Sequence, residues 1–190
     1  TSSLVGSEMC IRDRYIFWIH RRWISIFEIY TGKDTKWVEK RMKQIDIYIY
    51  ALSHSRGKGP AVFKAVLEFI KADGKPYTLN VTGGDKETTI NRITIKAAVT
   101  ALRRIKLNQP YEIRIHADCD YFERMLKAAR VYAEHDWKTK AGEEIANADL
   151  WKEVYIFKKT NHVTADSDLL ERYECKDELE DKLKLWKYMS

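Results

Sequence analysis

From Ile45 to Tyr50 the chain alternates isoleucine with polar or aromatic residues, Ile45-Asp46-Ile47-Tyr48-Ile49-Tyr50. This is the period of two that marks a β-strand, because successive side chains leave opposite faces. The breaker cluster Arg56-Gly57-Lys58-Gly59-Pro60 predicts a loop, and the largely apolar run Ala61 to Ile70 a second strand. Asp73-Gly74-Lys75 predicts a hairpin turn into a third strand, Pro76 to Thr82. The period then changes to 3.6. Ile93, Ala97, Ala98, Ala101, Leu102 and Ile105 fall on one face of a helix, with Thr88 or Thr89 placed to cap its first turn and Asn108-Gln109-Pro110 to stop it. Tyr111 to Ala117 predicts a fourth strand, its Ile113 and Ile115 alternating with charged neighbours. Residues 120–135 predict one or two helices, 147–159 another, Val163 to Asp166 a short fifth strand, and 169–187 a closing helix. His162 is read as a helix-end residue. The order βββαβααβα implies an α/β fold, a mixed five-stranded sheet with helices on both faces.

Forty-five per cent of the 190 residues are hydrophobic, enough for one domain with its own core. Leu4 to Arg14 resembles a sequencing adaptor translated in one frame, and such a string stays out of fold reasoning. Tyr15 to Arg41 is dense in Trp, Ile and Phe without helical or strand alternation; an amphipathic helix is the alternative to a leader read in frame. The expectation is a non-native leader over 1–41 and a domain over 42–190 starting at Met42. The longest apolar stretch, Tyr15 to Ile19, ends at His20-Arg21-Arg22, well short of the roughly 20 residues of a membrane span, so no membrane association is expected. Cys10, Cys119 and Cys175 show neither zinc spacing nor an even count, which fits a reducing, cytoplasmic setting. The net charge is +6, yet residues 1–41 hold eight Lys/Arg against five Asp/Glu and the remaining 149 hold 26 against 23. The expected domain is therefore only mildly basic, and charge alone does not decide for nucleic acid.

Two blocks say more. Asp136-Trp137-Lys138-Thr139, followed by Ala146-Asn147-Ala148-Asp149-Leu150-Trp151, resembles the W-K-T…N-x-D-L-W block of type 1 ribonucleases H. Upstream, Thr88-Thr89-Ile90-Asn91-Arg92 with Ala97-Ala98 and Ala101-Leu102 is similar to that family's T-T-x-N-R-x-E-x-x-A-A-x-x-A-L helix. The resemblance implies the ribonuclease H fold, an RNA/DNA hybrid or duplex as partner, a monomer, and four carboxylates holding two Mg2+ ions across the scissile phosphate, one activating water and one stabilising the departing oxygen.

The carboxylates are carried over one at a time. Counting back from Lys64-Ala65-Val66-Leu67 through Gly59-Pro60 places Ala51-Leu52-Ser53 at the family's D-G-S, so the first is absent. Asp46, five residues earlier, would leave the opposite face of the strand. The second falls on Thr94. The third is kept, since Ile115-His116-Ala117-Asp118-Cys119-Asp120-Tyr121 resembles the family's T-D-S-x-Y, with Asp118 as catalytic residue and metal ligand. For the fourth, Cys175-Lys176-Asp177-Glu178-Leu179 resembles the family's C-D-E-L helix start with one insertion and points to Asp177, while a gapless count points to Asp181. The histidine of the family's K-G-H-x-G loop has no counterpart in Leu169 to Glu174.

Binding positions are better kept. Thr89 and Asn147 map to the family's DNA-strand phosphate pocket, with Glu87 where an arginine is common. Asn91 keeps half of the pair that touches RNA 2′-hydroxyls. Tyr121, Tyr132, Trp137 and Lys138 map to aromatic and basic positions along the DNA strand, where rings stack on sugars and bases and cations meet phosphates; core packing is the alternative for Trp137 and the preferred reading for Trp151. These expectations describe a ribonuclease H-like protein that binds hybrid or duplex nucleic acid, with weak or absent Mg2+ binding and weak or lost cleavage. The alternatives are an active Mg2+-dependent hybrid endoribonuclease with relocated carboxylates, and a protein-interaction module on the same fold.

Overall fold

The computed structural model describes residues 43–70, 74–106, 109–167 and 172–188; the leader expected over 1–41 and the start at Met42 lie outside them. Five strands, β1 (Lys43–Ser53), β2 (Gly59–Ile70), β3 (Pro76–Thr88), β4 (Tyr111–Ala117) and β5 (His162–Asp166), alternate with four helices, α1 (Ile90–Leu102), α2 (Asp120–Glu134), α3 (Ala148–Thr160) and α4 (Lys176–Tyr188). The order in sequence is βββαβααβα, as predicted, and the order across the sheet is β3-β2-β1-β4-β5. β1, β2 and β3 pair antiparallel, while β4 runs parallel to both β1 and β5.

The register sorts the side chains onto two faces. Ile45, Ile47 and Ile49 of β1 stand beside Leu67 and Ala65 of β2 and Ile113 and Ile115 of β4, and all belong to the main core. α1 packs on β1, β2 and β3 and also meets α2 and α3. That placement explains why Ile95 and Val99 are buried as well as the predicted stripe: a helix covered on several sides needs apolar residues beyond one face. Its small Ala97, Ala98 and Ala101, all buried, lie where elements meet closely. On the second face α4 packs against β1 and β2, through Val62, Cys175 and Leu179 with Tyr50, Leu52, Tyr173 and Leu183 around them.

Three boundaries differ from prediction. β3 continues past Thr82 through Gly83-Gly84 to Thr88, with Gly83 at a close approach: a Cβ there would lie 2.7 Å from Cε1 of Phe63, its cross-strand partner. α4 starts at Lys176, since Arg172 and Tyr173 are hydrogen-bonded to the sheet instead of to a helical turn. His162 opens β5 rather than ending a helix. Asn161 takes the helix-end role, its amide donating to the carbonyl of Phe157 at 2.9 Å and its Oδ1 accepting the Tyr111 N–H at 3.0 Å.

Candidate nucleic-acid interface and carboxylate site

Thr89 caps α1, its hydroxyl accepting the Arg92 N–H at 3.3 Å. Arg92 then turns across to the start of α3. Its Nη1 donates to Asn147 Oδ1 at 3.2 Å, and its two Nη groups fork onto the Asp149 carboxylate at 2.9 and 2.6 Å. The fork holds the Asp149 carboxyl below the ordinary aspartate range, chiefly through the hydrogen bond from Arg92 and against its partial desolvation. Asn147 precedes α3 in the left-handed region at φ 61°, a conformation that asparagine tolerates better than most residues. One residue along α1, Asn91 Oδ1 lies 3.6 Å from Cys119 Sγ at the head of α2. Tyr121 donates its hydroxyl to the Ala146 carbonyl at 3.3 Å. Thr89, Asn91, Tyr121 and Asn147 are thus linked through the ends of α1, α2 and α3, and Glu87 stands exposed two residues before Thr89.

The remaining predicted contacts lie in the last turn of α2 and just past it. Tyr132 is half-buried against the core, and its carbonyl accepts the Trp137 N–H at 2.8 Å. Trp137 sits at φ 59° and is only 7% exposed, its ring meeting Tyr155 edge-on at 5.8 Å. Lys138 is exposed, with its backbone bridged to Glu144. Trp151 is 0% exposed between Tyr121 and Phe122.

The carboxylate positions are assembled differently from the count along the chain. The parallel pairing of β1 and β4 ends at Ile49 opposite Ala117; continued by one residue, the same register runs Tyr50 against Asp118. The register therefore sets Tyr50, not Ala51, beside Asp118, and a one-residue slip in a strand moves a side chain to the other face. Ala51 packs against the main core and Tyr50 under α4. Asp46 shares the Tyr50 face by alternation but lies four residues back, roughly 13 Å along the strand. There it is buried against His116, with Oδ1 3.1 Å from Nε2, and accepts from Gln44 at 2.8 Å. Thr94 is 3% exposed, and its hydroxyl donates to the Ile90 carbonyl at 2.8 Å.

Asp118 and Asp177 are both exposed, as is Asp181, which pairs with Lys184 at 3.1 Å. Beside Asp177, Glu178 accepts from Lys64 of β2 at 2.6 Å and from Lys182 at 2.7 Å. These two ammonium groups, Lys182 foremost, hold its carboxyl down to about 2. Among the described residues no three His, Cys, Asp or Glu side chains lie close enough to hold a metal ion. Mg2+ needs several convergent hard oxygens, and this donor set does not fit it.

Two parts of the site escaped the sequence count. Arg92 was part of a motif but had no assigned partner, because Asn147 and Asp149 are distant in sequence. Lys64 and Glu68 did carry a signal, being two charges four residues apart, hence on one face, in an otherwise apolar strand. Glu68 is 5% exposed and accepts from Arg172 at 3.0 and 2.8 Å and from the Tyr173 hydroxyl at 2.6 Å, and Tyr50 Oη accepts the Tyr173 N–H at 3.2 Å. These bonds fix the segment that leads into α4.

The comparisons with known proteins agree with this architecture. A family model for RNase H matches residues 42–167. The ribonuclease H of Lachnoclostridium phytofermentans is 26% identical over 123 residues, which are 64% of this chain and 77% of the relative. Ribonuclease HI of Xylella fastidiosa (strain 9a5c) is 31% identical over 112 residues, 58% of this chain and 69% of the relative. Among solved structures, LC9-RNase H1, described as a type 1 RNase H with the type 2 active-site motif, superposes with a TM-score of 0.56 at 18% identity over 75% of this chain and 70% of its own. LC11-RNase H1, solved in complex with an RNA/DNA hybrid, superposes with a TM-score of 0.52 at 17% identity over 77% and 99%. The chain belongs to the RNase H family.

Proposed function

We propose that this protein binds RNA/DNA hybrid or duplex nucleic acid and cleaves it poorly or not at all. The observation that carries the reading is the contrast between two ends of one site. The phosphate-facing groups Thr89, Arg92 and Asn147 are joined into one hydrogen-bonded unit. At the carboxylate positions stand Tyr50 or Ala51 and a Thr94 whose hydroxyl is already committed to the backbone. Two-metal phosphodiester hydrolysis stabilises both the attacking and leaving oxygens through ions that carboxylates hold in place, so a site missing two of them retains binding groups more readily than catalysis. RNA/DNA hybrid is the favoured ligand because the relatives are ribonucleases H and LC11-RNase H1 was solved with a hybrid.

The test is a gel assay with the full chain and a labelled RNA/DNA hybrid in Mg2+ or Mn2+, scoring retention and cleavage in the same lanes. Retention without cleavage is the expected result. Strong cleavage abolished by Asp118→Ala would establish an active hybrid endoribonuclease with relocated carboxylates, a reading favoured by family membership. No retention even at low salt, with Thr89 and Asn147 intact, would turn attention to protein partners.

A further inference from the structure

Lys64 has no place in the binding or cleavage scheme, yet it lies beside the carboxylate site. On the face of the sheet under α4, cross-strand neighbours form a row: Lys64 is opposite Tyr50, and Tyr50 is one step beyond the last β1–β4 pair, beside Asp118. Strands are about 4.8 Å apart, so the Lys64 backbone lies on the order of 10 Å from that of Asp118. The lysine side chain is only 14% exposed. Its Nζ binds Glu178 in the first turn of α4, immediately after Asp177, and the surrounding cluster is the apolar contact of Val62, Cys175 and Leu179.

A strand and a helix are thus joined here through a cation. In a metal site the joining cation is a divalent ion shared by carboxylates from different elements; here it is a covalently attached ammonium. We infer that Lys64 is a resident cation that stands where a divalent ion would: it docks the first turn of α4 onto the sheet and keeps Mg2+ out. Two physical effects act together. Lys64 and Lys182 occupy both oxygens of Glu178, which removes the one carboxylate next to Asp177 from the pool of metal ligands. The Lys64 ammonium, 14% exposed, also adds a positive charge on the face of the sheet that carries Tyr50, and that charge disfavours a dication there. The inference deepens the reading of poor cleavage and rests on it only for the location of the site. It requires no nucleic acid, so hybrid retention remains a separate readout.

The experiment uses Mn2+ alone as probe and the full chain. Wild type, Lys64→Met and Lys64→Arg are compared by calorimetric titration and by paramagnetic broadening of the backbone amides of Tyr50, Asp118 and Asp177. Wild type and Lys64→Arg are expected to show no broadening confined to those amides. Lys64→Met is expected to bind at least about tenfold more tightly than wild type, the order of effect expected when one nearby like charge is removed, and to melt at a higher temperature when Mn2+ is added. Folded Lys64→Met that binds Mn2+ no better than wild type would overturn the inference. So would wild-type broadening centred on Asp118 and Asp177. If Lys64→Met does not fold, Lys64→Gln takes its place: tighter Mn2+ binding than wild type supports the inference, and equal binding overturns it.

Discussion

Under the proposed reading, Tyr50 and Thr94 matter more to the chemistry of this chain than the residues that resemble the family. Thr94 presents no free group, because its hydroxyl back-bonds to Ile90, a bond that helices readily offer a threonine. Tyr50 fills its place with a ring and uses its oxygen to accept the Tyr173 N–H. The position of the first carboxylate is open to a direct test. Thr94→Glu combined with Tyr50→Asp follows the sheet register; Thr94→Glu combined with Ala51→Asp follows the count along the chain. In a Mn2+-dependent hybrid-cleavage assay the first double variant is expected to exceed the second and to exceed either of its single variants by more than their sum, since ligands of shared ions act as a unit. Higher activity from the Ala51→Asp pair would restore the count. Both introduced carboxylates replace residues that are buried or partly buried, so each variant is first checked for a native far-ultraviolet spectrum.

At the scale of elements, the Arg92–Asp149 fork between α1 and α3 and the length of β3 carry the predictions. Gly83 lets the Phe63 ring lie against the strand backbone, with no room for a Cβ at 2.7 Å. Gly83→Ala is expected to destabilise the fold by about 1–3 kcal/mol, the usual cost of overpacking, measured as a shift in urea midpoint with unchanged slope. The Arg92–Asp149 fork predicts an acid response with a definite sign. The Asp149 carboxyl is held below its ordinary range, so its stabilising contribution is fully present above the ordinary aspartate value and is lost as pH falls through that range and below it. Wild type is therefore expected to lose stability more steeply than Asp149→Asn as pH drops below about 4; parallel curves would show that the fork contributes nothing. The contribution is small, because both partners are substantially exposed.

These elements also show what was legible in the sequence and why. Strict alternation located β1, and 3.6 periodicity located α1, because each pattern reports burial on one face of a regular element. Lengths failed where a local signal has two physical meanings. The pattern predicts a third strand ending at Thr82, yet the strand runs on through Gly83, which serves close packing, and Arg172 and Tyr173 read as helix yet bond to Glu68 and Tyr50 in the sheet. Thr89, Asn91, Tyr121 and Asn147, which the structure links through the ends of α1, α2 and α3, were each legible from the motifs. The neighbourhood of Asp118 was not, because it depends on the β1–β4 register, which no single segment encodes, and on Lys64 meeting a helix more than a hundred positions away.

For the whole molecule the deciding quantity is charge. Beyond residue 41 the chain holds 26 Lys/Arg against 23 Asp/Glu, and several of the bases are committed to ion pairs, Arg92 with Asp149 and Lys64 with Glu178 among them. Glu87 adds a negative charge two residues before Thr89. Hybrid binding is therefore expected to be modest, on the order of micromolar at physiological salt. Its salt dependence separates two kinds of contact. Lys138 is exposed, so Lys138→Ala is expected to flatten the plot of log K against log salt by about one phosphate contact, a slope change of about 0.9 on a B-form duplex. Asn147 offers an uncharged amide and holds a left-handed backbone at φ 61°. Asn147→Gly keeps that backbone accessible while removing the amide, and is expected to weaken binding with the slope unchanged. An Asn147→Gly variant that binds as tightly as wild type would remove the Thr89–Arg92–Asn147 unit from the interface and leave the exposed cations to account for whatever affinity is measured.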